Sequence, residues 1–279
     1  MILKPLEPVS LVELFPPLSR ELLLVLRSFQ PSDWGLPTVC SAWTVKDVAA
    51  HLLGCSLGRL WKRDEPITTS GHPPISYQQL VSLINRENET WVQAAKRISP
   101  EMLIEFLELT DRRLYDHFRN LDPQGTAGIS VAWASEDLAP NWLDIAREYT
   151  EKWLHQQHIR EAVNKPLLTD PIWLSPVLEV FMYALPRAFR DEHAEDGTRV
   201  SVEIMGEAGG EWTLVRAGAE WQLYKGLDPH AVSSVQLDQD LAWRLFTKGL
   251  AREDARQQVR IEGNKALGER VLDMVSIMA

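Results

Sequence analysis

The chain has 279 residues, 45% hydrophobic and 24% charged, which suits one large or two ordinary globular domains. A formal net charge of −10 argues against a nucleic-acid partner, which needs a broad basic face. No run of about 18 apolar residues is present to span a bilayer, the opening Met-Ile-Leu-Lys-Pro-Leu-Glu-Pro lacks a secretory pattern, and the only cysteines are Cys40 and Cys55. A reducing, cytoplasmic setting without a membrane partner is therefore expected.

The first 165 or so residues carry helical signals. Leu11, Leu14, Leu18, Leu22, Val25, Leu26 and Phe29 recur every three to four positions, and Pro16 and Pro17 suit a first helical turn. A loop from Pro31 to Trp43 precedes a second helix, which Thr44 can cap with Asp47 as the reciprocal carboxylate. Gly71-His-Pro-Pro74 breaks the chain, residues 76–97 predict a third helix, and 100–119 predict a continuation or a separate one. The segment Asp122 to Ala139 reads as a long connection, after which Asn141 can cap a last helix running through His158 to about Asn164. Such helices suggest an antiparallel four-helix bundle.

Past Pro166 the pattern changes. A helix near 175–190 leads to a strand in which Val200, Val202 and Ile204 alternate, and Gly209-Gly210 marks a turn. Short strands follow at Glu211–Val215, Glu220–Tyr224 and Val232–Leu237, then a helix over Leu241–Gly249, a strand at Val259–Glu262 and a closing helix over Lys265–Met278. Strands followed by helices indicate an α+β domain, so the expected division is 1–168 helical and 169–279 α+β.

Three residues carry chemical interest. Glu151 and His155 stand one helical turn apart and point at one spot, where a histidine from a facing helix, His51, can complete a set of three. Three protein ligands with an open position describe a catalytic metal site. Asp144, Glu148, Glu151, His155 and His158 share one arc of the last helix, flanked by Leu143, Leu154 and Ile159. On the residues alone, a solvated polar stripe with an ordinary Glu151–His155 pair is the commoner explanation of that arc. His51 shares a face with Val48, Leu52 and Cys55, which also fits a buried, hydrogen-bonded core histidine. Cys55 can approach the site or simply pack. His158 can be a fourth ligand, a supporting group or a surface residue.

The stretch from Asp33 to Leu52 holds Trp34, Pro37-Thr38, Cys40, Trp43 and Asp47-Val-Ala-Ala-His51-Leu52. It resembles the signature of the mycothiol-dependent maleylpyruvate isomerase family, within the DinB/YfiT-like metalloenzyme superfamily. Glu151-x-x-x-His155 resembles that family's second motif, except that His158 stands where an aspartate is usual. Gly209-Gly-Glu-Trp-Thr-Leu, Asp240-Leu-Ala-Trp-Arg-Leu and Val259-Arg-Ile-Glu-Gly are similar to the sterol-carrier-like domain attached in many members. The resemblance implies a DinB-like, up-down-down-up four-helix bundle followed by a sterol-carrier-like α+β domain. It implies a divalent metal on His51, Glu151 and His155, zinc or else nickel or another divalent ion. It also implies a low-molecular-weight thiol as cosubstrate and a catalytic arginine from the C-terminal domain, best matched by Arg260. The partners are then the thiol and a small electrophile held between the domains, in a monomer or homodimer. Thiol-dependent isomerisation or S-transfer is the expected function. The alternative is a non-catalytic protein that binds metal and a small apolar ligand.

Overall fold

The computed structural model describes residues 3–61, 77–128 and 139–276. The sequence expectations at Gly71–Pro74 and over most of the 122–139 connection lie outside the described residues. The chain divides into two compact units: Ser10 onward to Leu168 forms one, and the residues up to Val9 join those from Thr169 onward in the other.

The expected split at 168/169 assigns the N-terminus to the helical part. The structure instead pairs β1 (Lys4–Pro5) antiparallel with a strand of the second unit, Lys4 facing Lys225 and Pro5 facing Tyr224. Two residues at a sheet edge are too short and too proline-rich to be read as a strand from sequence.

In the helical unit, α1 (Phe15–Arg27) opens with its two prolines in the first turn, where the backbone N–H groups have no helical partner to lose. α2 (Val45–Leu60) begins at a complete capping box. The Thr44 hydroxyl accepts from the Asp47 N–H, and Asp47 Oδ2 accepts from the Thr44 N–H at 3.0 Å. α3 (Tyr77–Ala95), α4 (Pro100–Phe118) and α5 (Asn141–Ala162) follow. α2 packs against α3, α4 and α5, while α1 packs against α4 and α5. Leu22, Leu26, Val48, Leu52, Leu103, Leu107 and Ile159 meet in their shared core. Asn141 is the first residue of α5 and not its cap; its side-chain amide donates to the Asp122 carbonyl at 2.8 Å.

The second unit starts with α6 (Pro171–Met182) and α7 (Leu185–Ala188), two helices where the hydrophobic pattern suggested one. Pro186, at the start of α7, lacks the N–H that a continuous helix needs. Then come β2 (Arg199–Met205), β3 (Gly210–Ala217), β4 (Glu220–Lys225), β5 (Ser233–Asp238), α8 (Gln239–Phe246), α9 (Arg252–Arg256), β6 (Arg260–Gly263) and α10 (Lys265–Glu269). Among the described residues the six strands form one sheet in the order β1-β4-β3-β2-β5-β6, antiparallel throughout except for the parallel β2–β5 pair. α6 packs on β3, and α8 packs on β2 and β5. Val200, Val202 and Ile204 are buried as their alternation predicts, and Ser201 between them is buried too because it hydrogen-bonds Thr213 at 2.9 Å. The β2–β3 turn needs Gly209, since a Cβ there would stand 1.9 Å from the Ile204 carbonyl oxygen. The closing helix is shorter than expected: α10 passes into a 3-10 turn over Arg270–Asp273.

The α2–α3 packing rests on a missing side chain. A Cβ on Gly54 would come within 2.5 Å of the Trp91 indole, which donates to the Ala50 carbonyl at 2.7 Å. Gly54→Ala must displace that ring. Thermal or urea unfolding is expected to show a loss of roughly 1–3 kcal/mol despite the better helix propensity of alanine; unchanged stability would place Trp91 elsewhere.

Candidate metal centre

The site begins with two helices. The capping box at Thr44 fixes where α2 starts, and two turns later His51 projects inward, 5% exposed. α5 supplies the facing residues. Residues from Leu143 to Arg160 are nearly all buried, polar and apolar alike, with Arg147, Glu151 and His155 partly covered. The stripe containing Asp144, Glu148, Glu151, His155 and His158 is therefore no solvated surface.

His51, Glu151 and His155 converge, each offering a donor atom within 4.8 Å of the others. Glu151 Oε2 and His155 Nε2 are 3.5 Å apart. Two donors on one tetrahedral zinc at about 2.0–2.2 Å stand roughly 3.3–3.6 Å from each other. Two imidazoles and a carboxylate at this spacing suit a divalent ion. The buried His155 Nδ1 has no hydrogen-bond partner of ordinary geometry. The rings of His51 and His155 lie edge to face at 4.6 Å, and Trp43 covers His51 with ring centroids 4.9 Å apart.

The other sequence candidates fall as follows. Cys55 Sγ is 3.5 Å from His51 Nε2, and burial pushes its thiol well above the ordinary range, so it stays a neutral neighbour. His158 is buried, with Nδ1 3.4 Å from Cys40 Sγ. Leu143 and Leu154 are buried near the stripe, while Ile159 belongs to the shared helical core. Arg260 belongs to the other unit, where it opens β6, exposed and paired with Glu262.

Sequence reasoning gave Cys40 no role at the site. Here Cys40, His155 and His158 form a second group of donors within 4.8 Å of one another, sharing His155 with the first. The cysteine reaches it from a closed loop: Pro37 and Thr44 bridge, the Trp43 N–H donates to the Cys40 carbonyl at 2.7 Å, and the Thr38 hydroxyl donates to the Trp43 carbonyl at 2.8 Å. Loop residues have no period, so the only sequence signal was the cysteine's place within the Trp34–Leu52 motif.

Buried charge around the site is matched. Arg59 makes a bidentate pair with Asp144 at 2.6 and 2.7 Å and reaches Glu148 at 3.2 Å, and Arg147 bonds the same two carboxylates. Lys152, wholly inside, donates to Asp111 at 2.8 Å and Ser56 at 2.9 Å. Burial disfavours its charge, but Asp111 and Glu148 more than compensate and its pKa is raised.

A helical unit with a two-histidine, one-carboxylate donor set built from facing helices defines a candidate metal-binding protein of the helical-bundle kind. Residues 15–160 match the model of the mycothiol maleylpyruvate isomerase N-terminal domain, and the chain belongs to that family. No curated protein matches the sequence. Two crystal structures are similar: the mycothiol-dependent maleylpyruvate isomerase, at 11% identity, and a point mutant of it, at 13%. Each likeness covers 84% of this chain and 86% of the other, with a TM-score of 0.47.

Stripped of any ion, the site would make stability depend on pH in two directions. Burial, aided by the charge on His155, lowers His51 from 6.5 to about 3. Burial also opposes charge on His155, but contacts with Cys40 and Glu151 outweigh it and raise this ring to about 9. His155 thus contributes stability that is complete below pH 6.5 and disappears as pH rises toward 9. His51 contributes stability present above pH 6.5 and lost as pH falls toward 3. In chelator-treated protein, melting temperature is expected to peak near pH 6.5. His155→Gln should flatten the alkaline flank and His51→Gln should reduce the acid one, each by on the order of 1–3 kcal/mol. Parallel profiles for wild type and variants would contradict the assignment.

Proposed function

We propose that this protein is a metal-dependent enzyme that uses a mycothiol-like low-molecular-weight thiol to isomerise an electrophilic small molecule, or to transfer the thiol to it. The convergence of His51, Glu151 and His155, inside the residues that match the family model, carries this reading. Zinc is the proposed ion, since imidazole and carboxylate nitrogen and oxygen donors suit it; nickel or another divalent ion can use the same set. Bound there, the ion lowers the pKa of a thiol and holds the thiolate as a nucleophile.

The chain's own residues do the positioning. The two helices hold the three donors on rigid backbone, and the Glu151–His155 contact fixes one ring against one carboxylate. Trp43, against His51, limits how that imidazole can turn. Leu143 and Leu154 keep the surroundings dry, which strengthens every electrostatic interaction there. Arg260 is the proposed catalytic arginine on the strength of the family resemblance alone. A cytoplasmic setting is proposed with it, since a thiol cosubstrate must stay reduced. Among the described residues no helix is long and apolar enough to cross a membrane.

Elemental analysis of untagged protein is expected to find about one divalent ion per chain. His155→Ala should lose the ion together with thiol-dependent turnover of electrophiles, by more than about a hundredfold, while keeping its helical circular dichroism. Arg260→Ala should keep the ion and lose turnover. Full turnover without metal would refute the metal role. A bound ion with no thiol-dependent reaction on any electrophile would replace this function with the non-catalytic binding one.

A further inference from the structure

We propose that Cys40 is a ligand of the same ion, an internal thiolate that holds the coordination position an external thiol must take. This rests on the reading that an ion binds at His155. The observation behind it is the second donor group: Cys40, His155 and His158 lie with donor atoms within 4.8 Å of one another, as His51, Glu151 and His155 do. His155 belongs to both, so the sulfur of Cys40 lies beside a ring that an ion on the first group would use.

Two further features favour ligation over packing. The Cys40 sulfur faces an imidazole, His158 Nδ1, at 3.4 Å. A sulfur with two imidazoles is also a softer donor set than two imidazoles with a carboxylate, and suits zinc or cobalt at least as well. The two cysteines differ in place: Cys55 lies within α2, 3.5 Å from His51 Nε2, whereas Cys40 lies on a loop.

The consequence for the proposed reaction is a ligand exchange. As an external thiol arrives, its proton passes to the Cys40 sulfur. One sulfur–metal bond breaks, one forms, and no electrons are gained or lost. In the absence of thiol the ion is covered by Cys40, which guards it against loss and against adventitious ligands. The effective affinity for the thiol is lowered by the fraction of protein in the Cys40-bound form.

Cobalt(II) substitution of the full chain tests this, because thiolate ligation gives an intense near-ultraviolet sulfur-to-cobalt absorption that imidazole and carboxylate do not. Wild type, freed of small thiols, is expected to show the band. Cys55→Ser should keep it. Cys40→Ser should bind cobalt and lack it, and adding 2-mercaptoethanol should restore it at a concentration at least about tenfold lower than is needed to displace Cys40 in wild type. Cobalt uptake by wild type with no band overturns the proposal and leaves the His51/Glu151/His155 reading standing, as does a band that survives in Cys40→Ser or disappears in Cys55→Ser. Failure of wild type to bind cobalt or zinc at all overturns both.

Discussion

Everything at this site depends on α5 being buried around almost its whole circumference while carrying a charged sequence. A helix so placed is ordinarily apolar. Here Asp144, Glu148, Lys152, His158 and Arg160 lie inside, and each ionised group taken out of water costs several kcal/mol unless it is matched. Arg59 and Arg147 answer the two carboxylates at the N-terminal end, and Asp111, with Ser19 and Ser56 bonded to it, answers Lys152. With those pairs closed, Glu151, His155 and His158 are the part of the stripe whose nearest partners are imidazoles, a carboxylate and a thiol, the donors that bind metals. The pairs are no strong source of stability, since well-packed apolar residues would serve as well. Their effect is to fix the rotation of α5 about its axis, and so to aim Glu151 and His155 at α2.

Local chemistry made much of the fold legible. The Thr44–Asp47 box needs only four consecutive residues, and the alternation at Val200–Ile204 needs only five, so both could be read without knowing the rest. Features that depend on distant partners could not. The pairing of Lys4–Pro5 with β4 joins residues more than two hundred positions apart. The release of Asn141 from capping depends on the carbonyl of Asp122. The split of one apolar helical stretch into α6 and α7 was signalled by Pro186, but the hydrophobic periodicity around it masked the break.

At the candidate site the same division holds. Periodicity correctly turned His51 inward and put Glu151 and His155 on one face. Whether the stripe is solvated or buried was not in the periodicity, because the apolar residues on both sides of α5 make its hydrophobic asymmetry small. Only the burial of Asp144, Glu148 and His158 decides it. Cys40 escaped because its position comes from a loop closed by the Pro37–Thr44 bridge, and its neighbour His158 lies 118 residues away.

The origin of each donor bears on what the centre can do. His51, Glu151 and His155 come from helix interiors, where backbone hydrogen bonds and packing leave little freedom, so their arrangement changes little with occupancy. Cys40 comes from a partly exposed turn anchored at both ends but free of helical constraint between them, and its side chain can swing with modest local change. A centre made only of rigid donors holds an ion in one geometry. One with a loop thiol beside it can trade that sulfur for another, so an arriving thiol exchanges like for like.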